Sequence, residues 1–162
     1  RTGLKMPTGS TDVRNEQQRE TAERSLQPGS GSLDTLLGLY GSVRSGRVLW
    51  FAQGTWQQAV TVEDHFHPGY RLGFDAGANV AVDARLSLLL QLNVLHRGHD
   101  SGFNAEAGHS GATQVFVSPG LSYRLLPSVQ VYGFFQQPVH QAMDGVQLAA
   151  DWSSAVGLSF QF

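Results

Sequence analysis

The chain has 162 residues, one domain's worth, and 11 Lys plus Arg against 13 Asp plus Glu give a formal net charge of −2. That balance excludes a generic nucleic-acid binder, which needs a basic face. The lack of cysteine excludes a disulfide scaffold, a zinc finger and thiol chemistry, and no apolar run approaches the roughly 18 residues of a spanning helix.

Residues 1–6 read as a partial strand. Residues 7–32 are polar, rich in Gly and Ser, and have no apolar face. They read as a long loop, within which 15–26 carries the i,i+3 and i,i+4 charge spacing of a short exposed helix. From Leu33 the period becomes two, the strand signature. Residues 33–44 set Leu37, Leu39 and Val43 against Asp34, Gly38 and Ser42. Residues 48–59 set Val48, Trp50, Ala52 and Trp56 against Gln53, Thr55 and Gln57. In 70–82, Tyr70, Leu72, Phe74, Ala76, Ala78 and Val80 oppose Arg71, Gly73, Asp75, Gly77 and Asn79. In 86–97, Leu86 to Val94 on the even positions oppose Ser87, Gln91, Asn93 and Arg97. Residues 114–125 alternate likewise, 129–139 less cleanly, and 146–162 read as a long last strand.

The connections alternate in length. Residues 45–47, 83–85 and 126–128 are tight turns, whereas 7–32, 61–69, 98–113 and 140–145 are longer and polar. An up-and-down sheet therefore gathers all tight turns at one end and all long loops at the other. The fold class expected is all-β: an antiparallel up-and-down transmembrane β-barrel, about eight strands in this chain, forming one domain over 1–162.

Alternation alone also fits a soluble barrel with its apolar face inside. Three features favour lipid outside. The polar parity is Gln, Asn, Ser, Gly and Thr with almost no Lys or Glu, whereas water-facing strands commonly use charge. Trp50 and Trp56 share a parity roughly 20 Å apart at the usual strand rise, the separation of two interfacial girdles. Tyr70, Tyr123 and Trp152 also stand near strand ends, and the loop asymmetry is that of outer-membrane barrels.

The chain stops on Gly157-Leu158-Ser159-Phe160-Gln161-Phe162. This resembles the C-terminal signal of bacterial outer-membrane proteins, carried by Gly157, Phe160 and Phe162, with Ala155 where that pattern prefers a polar residue. The resemblance implies recognition by the barrel-assembly machinery and insertion among outer-membrane lipid. Gly3-Leu4-Lys5-Met6-Pro7-Thr8-Gly9, and Ser25-Leu26-Gln27-Pro28-Gly29-Ser30-Gly31-Ser32 leading into Asp34-Thr35-Leu36-Leu37-Gly38, resemble the transporter-like outer-membrane proteins labelled for the MetA pathway of phenol degradation. In such proteins comparable segments lie in the second half of a barrel of about twelve strands. The resemblance implies missing N-terminal strands or other subunits as partners and a passive channel or transporter for small molecules. The alternatives are a complete eight-stranded barrel with a filled interior, acting as a structural anchor or as a surface adhesion or metal-capture protein through its loops.

With the C-terminus periplasmic, the long loops and all six histidines are extracellular. His65 and His67, beside Glu63 and Asp64, are the candidate metal ligands, provided the segment is extended. Arg71, Asp75, Asn79, Gln91, Asn93 and Arg97 are the candidate lumen-lining residues. Arg124, Asp34 and Asp151 share that parity, and Arg71 with Asp75 is the charge pair expected at a constriction. Ser101, His99, Asp100, His109 and Ser110 hold catalytic residue types, but no nucleophile motif accompanies them. Neither catalysis nor a cofactor is expected.

Overall fold

The computed structural model describes residues 1–14, 27–103, 105, 107–145 and 147–160. The segment 15–26, Val146 and Phe162, all singled out in the sequence, lie outside the described residues.

The strands are β1 (Thr2–Lys5), β2 (Asp34–Ser45), β3 (Val48–Ala59), β4 (Phe66–His67), β5 (Arg71–Ala81), β6 (Leu86–Arg97), β7 (Ser101–Gly102), β8 (Ala112–Leu126), β9 (Val129–Met143) and β10 (Ser153–Phe160). Eight of them form one sheet in the order β1-β2-β3-β5-β6-β8-β9-β10, while β4 and β7 pair separately over the loops. Every pairing is antiparallel. The chain is a meander, and the three turns and four long connections fall at opposite ends as expected.

Local chemistry sets the turns. Gly46 takes φ 59° in the two-residue connection from β2 to β3, a conformation that costs glycine nothing. Asp83 Oδ1 accepts the backbone N–H of Arg85 and of Leu86, at 2.6 and 2.8 Å, between β5 and β6. Pro127 supplies the preset φ between β8 and β9. Two prolines interrupt the β8–β9 ladder because they have no N–H to give. No paired partner is recorded at Ser118 and Pro119, and the register shifts by one next to Pro138.

Two boundaries differ from the sequence reading. The last strand starts at Ser153, not at 146, because Gln147 Nε2 donates to the backbone oxygens of Gly111 and Asp144, at 2.7 and 2.9 Å, and holds the chain in the loop layer. Conversely, β9 runs on to Met143. Among the described residues the sheet does not close into a barrel by itself: β1 and β10 end it and do not pair with each other.

The burial pattern is inverted relative to an ordinary core. Among the described residues the only buried hydrophobic side chain is Phe66, whereas Ser32, Asp34, Asp100, Ser110, Ser118 and Ser122 are buried. Ser118, at 1% exposure, is covered by its neighbours on that face, as on the concave side of a curled sheet. The face carrying Asp34, Gln53, Asp75, Asn93 and Ser118 is therefore the inner face. The opposite, outer face presents Leu39, Trp50, Phe74, Leu90, Leu121 and Val156, each at least half exposed. The register places no Asp, Glu, Lys or Arg on the outer face of any strand of the eight-stranded sheet.

Candidate functional site

The inner face is where polar groups converge. Gln53, Asp75 and Asn93 stand opposite one another in register on β3, β5 and β6. Gln53 Nε2 donates to Asp75 Oδ2 and Asn93 Nδ2 to Asp75 Oδ1, both at 2.6 Å. Ser118 on β8 donates to Asn93 Oδ1 at 2.5 Å. A carboxylate held by two amides and backed by a hydroxyl thus runs across four strands. The charge is met by amide donors rather than by a cation.

Arg71 and Asp75, both on the inner face, form no ion pair with each other. Four residues along one strand is about 14 Å, and Asp75 is already satisfied from its two neighbouring strands. Arg71 instead lies opposite Gln57 and Arg97 at the loop end, exposed and without an ion-pair partner among the described residues. Arg97 stands at the loop end of the same inner face. Its Nη2 donates to Asp100 Oδ2 at 2.6 Å. Asn79 and Gln91 are on the inner face as expected, both half-buried.

The loop end is tied down by two buried carboxylates. Asp34 accepts from Ser32 Oγ and Gln57 Nε2 at 2.5 Å each and pairs with Lys5 Nζ at 3.1 Å, joining β1, β2 and β3. Asp100 is 1% exposed. Besides Arg97 it accepts the N–H of Gly69 at 2.7 Å, while its own N–H reaches Ser110 Oγ at 2.8 Å. It therefore fastens the 61–69 connection to the 98–111 connection, which β4 and β7 also join. Ser110 thus meets the backbone of Asp100 and not its carboxylate, and its hydroxyl donates to the Ala107 carbonyl at 3.1 Å. His99 stands outside this contact, its Nδ1 hydrogen-bonded to the Ala107 carbonyl and its Nε2 3.4 Å from Asp144 Oδ2.

The metal reading of His65 and His67 required extended backbone. His65 has φ 58° and Asp64 φ 52°, so the chain coils through the left-handed region there, with Phe66 buried between two exposed imidazoles. Among the described residues no three His, Cys, Asp or Glu side chains gather as a metal site.

Aromatic residues stand toward both ends of the outer face or at its margin. Trp50 and Tyr123 lie toward the tight turns; Trp56, Tyr70 and Trp152 lie toward the loops, and all five are exposed. Trp152 stacks on Phe135 with centroids 5.8 Å apart. Tyr70 Oη shares a hydrogen bond with His96 Nε2 at 3.1 Å. Phe160 is exposed on the outer face beside Val129. Gly157 has a packing role on the inner face: a Cβ there would lie 2.6 Å from the Tyr132 ring, so the aromatic side chain covers the glycine across the strand pair. Phe134 over Gly120 and Phe51 over Gly77 repeat the device, in which a ring fills the space a missing side chain leaves. Tyr132 and Phe134 thus belong to the inner face, which explains why 129–139 alternated poorly.

Sequence reasoning missed Gln57, Lys5 and Ser32 around Asp34, and the bonds that Gln53 and Ser118 make. Parity placed Gln53 and Ser118 correctly, but register, which alone brings them to Asp75 and Asn93, is not written in a single strand.

Fold and face chemistry together define a class: an all-β, antiparallel meander with a polar inner face and an uncharged apolar outer face. Comparison with protein-family models and with curated proteins returned no match.

Proposed function

We propose that this chain is part of the wall of an outer-membrane β-barrel that passes small molecules, with its outer face in lipid and its inner face toward a water-filled lumen. The observation that carries the reading is the absence of any formally charged residue on the outer face of an eight-stranded sheet whose inner face holds Asp34, Asp75, Arg97 and Arg124. A sheet facing water would bear charge on the side that is exposed. Tryptophan and tyrosine at both ends of that face match interfacial girdles, and outer-membrane barrels have the same alternation of tight turns and long loops. The unpaired edges at β1 and β10 fit a larger barrel completed by further strands or by another subunit. Gly157 and Phe160 fit the assembly signal read by the barrel-assembly machinery.

The second reading, a barrel that works as an anchor or a binding surface through its loops, is favoured by one observation. Asp100 ties two of the long connections into a fixed rim. Refolding the chain in detergent and adding it to a planar lipid bilayer separates the two. Discrete single-channel conductance, from material whose gel mobility changes on heating, is the expected result. A heat-modifiable chain, one that has closed a barrel by itself or with further copies, that stays silent overturns transport and leaves the anchor reading.

A further inference from the structure

Charge is distributed very unevenly along the strand direction. Four of the chain's ten arginines stand at the tight-turn end: Arg44 at the end of β2, Arg47 in the turn after it, Arg85 before β6 and Arg124 near the end of β8. Arg44 and Arg124 have inner-face parity, their register neighbours being Leu49 and Gln130. All four line one cavity of about 330 Å³, together with Asp83 and Gln130. Its volume is at the lower end of the roughly 300–1,000 Å³ of small-molecule sites. Asp83 is the single acid there, and one of its oxygens is occupied by the N–H groups of Arg85 and Leu86. None of the four guanidinium groups has an ion-pair partner among the described residues. Next along β8 on the same face, Ser122 is 2% exposed and its hydroxyl has no hydrogen-bond partner among the described residues.

We propose that this inner mouth at the tight-turn end binds multivalent oxyanions, of the phosphate or polycarboxylate class, through Arg44, Arg47, Arg85 and Arg124; the inference rests on the reading of the inner face as open to water. Guanidinium is the side chain suited to such ligands. It is always charged, presents five N–H donors in a fixed fork, and meets two oxygens of one anion at once. Four forks and one carboxylate leave a net charge of +3 around the cavity. Arginines placed merely for solubility would be paired or scattered over the outer surface; these converge on one concave space from three hairpins. The same chemistry would suit the phosphate of a lipid headgroup, but the inner-face parity of Arg44 and Arg124 turns them from the bilayer, so the source is a soluble anion. In a conducting barrel the ring would also favour anion over cation entry, as rings of fixed positive charge do.

The test is calorimetric titration of inorganic pyrophosphate into the chain folded in a nonionic detergent at low ionic strength. Saturable binding is expected. It should weaken about fivefold for each arginine removed, the upper end of what an exposed charge pair contributes, in Arg47→Ser and in the Arg47→Ser, Arg85→Ser double variant. Arg71→Ser, at the opposite end, should leave it unchanged. If the double variant does not fold, Arg124→Ser alone and a salt titration of the unaltered chain carry the test, since screening must weaken the binding. No binding to the folded chain, or an equal loss in Arg71→Ser, overturns the site. Phosphatidylglycerol vesicles recruiting the chain through these arginines while pyrophosphate does not bind would assign them to lipid and likewise overturn it. Conductance is read separately: a silent chain that binds pyrophosphate refutes the channel and keeps the site, and a conducting chain that does not bind it does the reverse.

Discussion

Leu92→Arg places a charge where the two possible solvents of the outer face differ most. Leu92 is in the middle of β6, 43% exposed, between Ala76 on β5 and Val117 on β8. Its row continues through Ala76 to Ala52 on β3, two residues from Trp50 and four from Trp56. At the usual rise that is about 7 Å from one aromatic row and about 14 Å from the other. An arginine at the midplane of an outer-membrane barrel costs about 2–4 kcal/mol, falling toward the interfaces. At this off-centre depth we expect about 2–3 kcal/mol. In water the same substitution would only exchange contacts with two small neighbours, within about 0.5 kcal/mol. Equilibrium denaturation of the chain folded into phosphocholine vesicles reads the difference. Gln91→Arg, the next residue but on the inner face, serves as control and should stay within about 0.5 kcal/mol. Equal effects from the two variants would refute the assignment of faces to lipid and water.

Asp75→Ala removes the acceptor of Gln53 and Asn93. With water at hand to satisfy both amides, denaturation should show a loss of about 1 kcal/mol, whereas a dry, filled interior would raise it to about 3 kcal/mol. Gly69→Ala puts a methyl group 2.0 Å from the Gly98 carbonyl oxygen, backbone that no rotamer can clear. It should cost about 1–3 kcal/mol and speed protease cleavage between residues 98 and 111, and unchanged cleavage would contradict the Asp100 fastening. The Asp83 carboxyl, in a turn outside the strands, is held below the ordinary carboxylate range by the N–H groups of Arg85 and Leu86. Because the folded value is depressed, the turn is supported above the unfolded carboxylate range and loses that support as pH falls through the folded value. The amide proton resonances of Arg85 and Leu86 should therefore titrate together, with a midpoint below that of a free aspartate.

The strands were legible because one physical cause, a sheet with two chemically different faces, writes a period of two into each of them. The clean alternation of 70–82 and 86–97 returned β5 and β6 within a residue. Where a second cause competes, the reading failed. Tyr132 and Phe134 are apolar residues on the polar face because Gly157 and Gly120 leave room for their rings. Alternation continued on paper through 147–152, but the Gln147 side chain bonds to loop carbonyls and keeps that segment out of the sheet. At the inner face, parity identified Asp75, Asn79, Gln91 and Asn93. It could not show that Asp75 is answered by Gln53 and Asn93 rather than by Arg71, because that depends on pairings between strands. The arginines of the tight turns escaped notice for a related reason: Arg47 and Arg85 lie between strands, and only the folded hairpins bring them to Arg44 and Arg124.

The most direct measurement of the central claim is tryptophan quenching by brominated lipid. Trp50, Trp56 and Trp152 are the chain's three tryptophans, all on the outer face or its margin. The chain would be refolded into vesicles whose acyl chains carry bromine at shallow or deep positions. With lipid against that face, emission falls strongly, and bromine near the headgroups quenches more than bromine at the bilayer centre because the rings stand at the two interfaces. Emission from a folded chain that is indifferent to bromine at every depth would mean that the outer face meets water, and the account would fail.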